Sequence, residues 1–392
     1  MTMCALRGLL PLTAVLASMA LVAPSVLAAT LRATLLVPAD DPRLERSRLE
    51  RAAPSHPQGP AEDALRLALK DAALPLEAAG VVLTLDVAEV ADAAAAKAAA
   101  TAAAKTGAVA LVADLPPTWL LAAADAAPLP VLNVGAADDA LRAADCRRNL
   151  WHLLPSERMR ADALAQALVA RRWSRVLLLI GPGEADRARA AAVQGALRRY
   201  GLKQVAERPF KLSADPRERE LANPRLLTQG DYDVVWVVDT DGEFAASLNL
   251  RTVLPRPVVG DGGVAAEAWS PHFERFGAPQ VSRRLDKAAG RRMSAHDWGA
   301  WMAGKALVAA ALAAPKGPAA AWQQALGNAE LDGSKGVAMA FRAWDGQLRQ
   351  PLLLSDGRAV LDMLPGDGVM HPKNRLDTLG ADAPEKLCKA RQ

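Results

Sequence analysis

The side chains best placed to do chemistry are carboxylates. Asp239 and Asp241, with Thr240 between them, stand immediately after the apolar run VVWVV, and Asp40, Asp41, Asp114, Asp138, Asp139 and Asp261 each follow another short apolar run within a few residues. Carboxylates gathered in one place repel, and burial pushes them toward protonation unless a cation sits among them. Hard cations such as calcium take about six to eight oxygen ligands. A lanthanide ion has the same taste for oxygen with more charge, so Asp239, Asp241 and Asp261 are candidate ligands for bound calcium or a lanthanide. Asp is equally favoured at helix N-caps, where the residue after a parallel strand often falls, and both readings stand. An EF-hand register does not, because it would place Val237 and Leu248 at the first and last ligand positions. Trp119 and Trp269 are candidate apolar walls for a small molecule whose hydroxyls or amine the same carboxylates would bond; core packing is the alternative for each ring.

Other motifs fail on their chemistry. GPGEAD at 181–186 follows a strand pattern, but it lacks the third glycine of a dinucleotide fingerprint and would set acids against a pyrophosphate. GAWMAGK at 299–305 has the spacing of a phosphate loop, yet lies inside a helical pattern with Ala306 where a magnesium-binding hydroxyl is needed. The five histidines have no metal spacing, and there is no GxSxG elbow. Nothing assembles an acid, a base and a nucleophile, so no enzyme activity and no required cofactor are expected.

The elements that would carry these residues alternate regularly. VVWVV, rich in β-branched residues, suits a strand covered on both faces. Strand patterns recur at 31–37, 81–87, 108–113, 130–135, 175–180 and 202–210, with helices between them, including the Ala-rich run 91–105. Ser156 reads as the N-cap of a helix running to about Arg172, and Ser294 or Asp297 as the cap of another. Residues 140–155 read as a crossover, and 336–356 as a closing hairpin turning at Asp345-Gly346. Parallel strands need crossover helices, so doubly wound sheets follow. Ligands bind such sheets outside the carboxyl ends of the strands.

Composition narrows the setting. The chain of 392 residues carries a formal charge of +4 with both signs interspersed, so nucleic-acid binding is not indicated. Arg7, the apolar run 8–21 and Val26-Leu27-Ala28 read as a cleaved signal peptide over 1–28, and no later run is long and apolar enough for stable membrane insertion. The expected address is the periplasm. Roughly 360 residues remain, which suits two lobes. Cys4 leaves with the signal, and a disulfide between Cys146 and Cys388 is expected over two unpaired thiols.

This order of elements resembles the type I periplasmic solute-binding proteins of ABC transporters, the Leu/Ile/Val-binding branch. VPADDPR at 37–43, HLLPSERMRADALAQ at 152–166, FRAWDGQLRQP at 341–351 and the terminal DTLGADAPEKLC resemble the subfamily associated with PQQ-dependent alcohol oxidation. The resemblance implies an α/β fold of two Rossmann-like, doubly wound lobes joined by three hinge crossings. Lobe 1 is expected over 29–142 plus 258–335, lobe 2 over 143–257 plus 336–365, and a tail over 366–392. It further implies a receptor that closes on a small solute or hard cation and docks on an ABC permease. The alternative is a non-transport accessory of a PQQ dehydrogenase system. The branch's amino-acid site is not matched. Ala136 and Ala137 stand where a hydroxyl residue is expected, Pro116-Pro117 replaces a Ser-rich turn, and Asp261 lies one place out of register with the ammonium-binding carboxylate.

Overall fold

The computed structural model describes residues 29–45 and 56–392; the expected signal peptide lies outside them. The strands are β1 (Ala29–Pro38), β2 (Val81–Val90), β3 (Ala108–Ala113), β4 (Val131–Asn133), β5 (Leu150–His152), β6 (Arg175–Ile180), β7 (Lys203–Pro209), β8 (Val234–Val238), β9 (Val258–Gly260), β10 (Ala265–Glu267), β11 (Leu331–Asp332), β12 (Ala338–Met339), β13 (Leu352–Ser355) and β14 (Val360–Leu364). The helices are α1 (Pro42–Glu45), α2 (Ala61–Asp71), α3 (Ala73–Ala78), α4 (Ala93–Lys105), α5 (Pro117–Ala126), α6 (Glu157–Ala170), α7 (Glu184–Arg199), α8 (Pro224–Leu227), α9 (Glu243–Leu248), α10 (Ala278–Ala289), α11 (Ala295–Ala313) and α12 (Ala319–Asn328).

Two parallel sheets result, in the orders β2-β1-β3-β4-β5 and β7-β6-β8-β9. Successive side chains of a strand point to opposite faces, and β8 shows the consequence. Val234, Trp236 and Val238 enter one apolar cluster with α6 and α7, while Val235 and Val237 enter another with Phe210, Phe244 and Leu248. In the first sheet Leu31, Ala33 and Leu35 face α2, α11 and α12, whereas Leu36 faces α4 and α5. Both sheets are therefore doubly wound, and each has its own core. Ser156 caps α6 by accepting from the Met159 amide at 3.2 Å. Ser294 caps α11, with Asp297 closing the reciprocal bond.

The lobe boundaries move. Residues 140–155 are not merely a crossover: β5 lies at the edge of the first sheet, paired with β4, so lobe 1 runs to His152 rather than 142. β9 belongs to the second sheet, and Ala266 of β10 enters that lobe's core, so lobe 2 runs to Glu267 rather than 257. The third change is larger. Asp345-Gly346 does turn a hairpin, with Phe341 bridging Leu348 antiparallel and the Arg342 amide donating to Gln347 at 2.8 Å, but it is short: its pairing reaches only Ala340 and Arg349, not the whole of 336–356. β12 pairs with β11, and Gln347 bridges His152 at the edge of the first sheet. Met339, Phe341 and Leu348 enter the lobe 1 core, so the chain crosses at 349–351, not after 335. β13 then forms an antiparallel sheet with β10 and β14, turning at Asp356-Gly357. The reason is physical: both arms of the turn, through Leu348, match the lobe 1 core, whereas Leu352 and Leu354 match the lobe 2 core, and burial decides where the chain crosses. The expected disulfide is present, Cys146 to Cys388, with Cα atoms 5.6 Å apart.

Candidate functional site

At the carboxyl end of the first sheet the chain leaves β1 through Asp40, which is exposed, and Asp41. Asp41 accepts from the Arg43 backbone amide at 2.9 Å and from its guanidinium at 2.7 Å. Arg43 also pairs with Asp114, after β3, at 2.9 Å, and the other oxygen of Asp114 lies 2.9 Å from His296 Nε2 near the start of α11. Burial would raise the Asp114 carboxyl, but His296 and Arg43 outweigh it and draw it down to about 2. The folded value lies below the unfolded one, so this pairing stabilises the fold above about pH 4 and is lost as pH falls toward 2, a contribution of about 2 kcal/mol. Asp114→Asn is expected to lose that amount near neutral pH and to flatten the acid branch. Urea midpoints followed down to about pH 2.5 measure it, and an unchanged acid branch contradicts the pairing.

Asp138 is exposed. Asp139 accepts from the Arg158 amide at 3.1 Å, tying the loop after β4 to the first turn of α6. The two candidate aromatic walls fall in different apolar clusters. Trp119 packs half-buried against the α4–α5 core. Trp269 is buried in the lobe 1 core beside Trp298 and Phe273.

At the carboxyl end of the second sheet Asp239 accepts from the Ala245 amide at 2.9 Å, holding the first turn of α9. The Asp239 amide donates to Asp261 at 2.7 Å, and the other Asp261 oxygen takes Arg189 at 2.6 Å. Arg189 reaches from α7 to Glu157 at 3.3 Å and Thr240 at 3.4 Å. The Thr240 amide donates to Asp186, which also accepts from the Gly183 amide. Asp241 is exposed. The expected metal triad Asp239, Asp241 and Asp261 is thus not assembled: one carboxylate holds a helix turn, one is neutralised by a guanidinium and one faces solvent. Among the described residues no group of three or more His, Cys, Asp or Glu is placed to hold a metal ion. Titrating chelated protein with calcium and with a lanthanide is expected to leave melting temperature and Trp fluorescence unchanged. A saturable shift with either ion reverses this.

What the fold does build is an acidic recess in lobe 2, with a volume of about 40 Å³, lined by Glu157, Arg160, Arg189, Trp236, Asp261 and Glu267. Arg160 bonds Glu267 Oε1 at 3.1 Å, while Glu267 Oε2 and Arg160 Nε are buried without partners. Burial pushes the Glu267 carboxyl up despite Arg160. At Glu157 burial acts in the same direction, but Arg189 and Arg160 prevail and the carboxyl is held down. An unpaired, buried acceptor costs free energy until something donates to it, so the recess suits a hydrogen-bond donor carried by a small solute. Arg43, Glu157, Arg160, Arg189, Glu267 and His296 were not singled out from sequence. Only Glu267, a lone acid in AAEAW, carried a signal that could have marked it.

No protein-family model matches the sequence, and no curated protein does. Solved structures do. A branched chain amino acid ABC transporter periplasmic ligand-binding protein from Burkholderia xenovorans LB400 superposes with a TM-score of 0.71 at 13% identity, covering 92% of this chain and 100% of that one. A solute-binding protein of an ABC transporter from R. palustris, in complex with benzoate, gives 0.64 at 14%, covering 85% and 96%. An ABC transporter substrate-binding protein from Desulfitobacterium hafniense, in complex with Leu, gives 0.64 at 16%, covering 86% and 99%. The chain therefore has the type I periplasmic-binding-protein fold of two α/β lobes. Among the described residues no helix is long and apolar enough to cross a membrane.

Proposed function

We propose that this chain is the periplasmic solute receptor of an ABC importer, closing two lobes on a small solute and presenting the closed form to a membrane permease. The observation that supports it most is the pair of doubly wound parallel sheets joined by three crossings, in a fold shared along nearly the whole chain with solute-binding proteins. Fold alone does not assign function; the signal peptide expected over 1–28 adds to the reading. The four local motifs favour a receptor serving PQQ-dependent alcohol oxidation, with a solute drawn from alcohols or their oxidation products.

The site argues for a solute other than an α-amino acid. The lobe 1 loops lack hydroxyl side chains at Ala136 and Ala137, and Asp261 already holds Arg189. The unpaired Glu267 oxygen instead asks for a neutral donor such as a hydroxyl. Solution scattering with short alcohols, their aldehydes and acids, amino acids and benzoate is the test. Compaction and a raised melting temperature with a hydroxyl-bearing compound are expected. No compaction with any of them, together with solute-independent capture of a PQQ dehydrogenase, would replace the receptor by the non-transport accessory.

A further inference from the structure

The C-terminal segment after β14 contains little regular structure, only short turns at Arg375–Thr378, Ala383–Glu385 and Lys389–Arg391. Yet from Leu376 to Arg391 it is held by both lobes, whose contacts alternate along it. On the lobe 1 side, Cys388 is bonded to Cys146, just before β5. Arg391 donates to the Leu150 carbonyl of β5 and stacks its guanidinium 4.4 Å from the centre of the Trp151 ring. Arg342, fully buried in the stretch that bridges the first sheet, donates to Asp377 at 3.0 Å and to the carbonyls of Leu376 and Leu379 at 2.9 and 2.7 Å. Trp344 Nε1 donates to the Ala381 carbonyl at 3.1 Å.

On the lobe 2 side, the Gly380 amide donates to Asp162 of α6 at 3.0 Å. Arg158 of α6 takes Glu385 with two parallel bonds at 2.8 and 2.7 Å, a geometry that adds orientation as well as attraction. Gln166 and Tyr200 both reach Thr378, at 3.1 Å to its hydroxyl and 2.9 Å to its carbonyl. Three of the four distinctive sequence motifs, 152–166, 341–351 and the terminal one, are therefore partners in a single assembly. It spans the first crossing at 153–156 and touches the third, where Arg349 pairs with Asp377 at 2.8 Å.

We propose that residues 366–392 are a strap across the hinge, a fourth connection between the lobes that limits how far they can separate. The three backbone crossings leave a hinge free to turn by small backbone rotations. The strap does not, because its lobe 1 anchor is covalent and its lobe 2 anchors, the buried Gly380–Asp162 bond, the half-buried Thr378 contacts and the exposed Arg158–Glu385 pair, must break together if α6 moves away from β5. Interactions that are satisfied only in one relative position of two bodies bias the equilibrium toward that position. This proposal does not require any particular solute and stands apart from the transport reading.

The test uses the full chain without solute. Spin labels on Leu74→Cys in lobe 1 and Leu250→Cys in lobe 2, both strongly exposed, report the interlobe distance distribution. One background has the disulfide intact, one carries Cys146→Ser and Cys388→Ser together, and a third carries Gly380→Leu. Gly380 has φ +88°, and a Cβ there would stand 2.7 Å from Met159 Cγ, so the substitution must unseat the strap while leaving the disulfide in place. Amide exchange of 376–391 reports release directly. Faster exchange in that segment and a distance distribution at least one-and-a-half-fold broader are expected in both variants, on the order of what freeing a hinge of this kind allows. Released amides with the distribution still at its original width overturn the proposal. So does retention of the strap in both variants, since the disulfide and the Gly380 seat would then not be what holds it.

Discussion

Lys335→Met is expected to make this protein more stable, by about 2 kcal/mol at neutral pH. Lys335 is fully buried, and its ammonium meets only the Pro351 carbonyl at 3.0 Å, the Gln350 side-chain oxygen at 3.4 Å and the face of Trp298 at 3.7 Å. Among the described residues no carboxylate is paired with it. Burial holds this group well below the usual lysine range. Two neutral acceptors and an aromatic face do not replace the water a charge gives up, so the Trp298 contact is packing against an amine rather than a strong cation–π attraction. The folded chain therefore releases this proton at a lower pH than the unfolded chain does. Stability must rise as pH climbs from neutrality toward about 10.4, the ordinary lysine value. Met is unbranched, of similar length and needs no proton. Chemical unfolding of both proteins across that range is the measurement: the wild type should gain stability with pH and the variant should stay flat. A variant less stable than wild type near neutrality, with the same pH slope, would show the amine to be a paired structural cation instead.

Arg342→Leu should act in the opposite direction, costing about 4 kcal/mol. Its guanidinium is fully buried and serves Asp377 and two main-chain carbonyls of the tail. Removing it leaves those carbonyls buried without donors and strips one of the two cations from Asp377. Arg349, 2.8 Å from the same carboxylate, keeps Asp377 from being wholly unpaired, which places the cost within rather than above the range for broken buried pairs. Asp377→Asn in the same background completes a double-mutant cycle. The pair should couple strongly, so that the double variant loses less than the two single losses combined. A single loss below about 1 kcal/mol, with additive behaviour, would mean that the tail is held by the disulfide and the α6 contacts alone.

The two substitutions lie close together along the chain and differ in one respect. Arg342 has a carboxylate where Lys335 has none. Burial by itself therefore predicts neither outcome; the partner does.

Much of the architecture was legible without coordinates because it rests on periodicity. VVWVV, RVLLLI and AVALVA could bury both faces only in doubly wound sheets, and all three do. Ser156 and Ser294 announced their helices because a hydroxyl before an apolar-periodic run satisfies amides that would otherwise have no partner. Cys146 and Cys388 were the natural pair once the first cysteine was set aside with the signal. Local chemistry was enough for each of these.

Contacts distant in sequence were not legible in this way. Asp239 and Asp261 looked alike as strand-end acids, but one holds a helix turn and the other takes Arg189, which comes from 72 residues away. A charge pattern along a chain does not say which opposite charge will arrive from another element. The same limit misplaced the third crossing: the hairpin at Asp345-Gly346 was legible locally, but only the open edge beside β5 seats it in lobe 1 and ends it before β13. What the chain by itself determined was the set of elements, their caps and the two-sided burial of its strands, since those depend on neighbours a few residues apart. What only the tertiary structure decided was which acids hold backbone amides, which are neutralised and where the tail is tied, since electrostatic and hydrogen-bond partners are chosen by proximity in space.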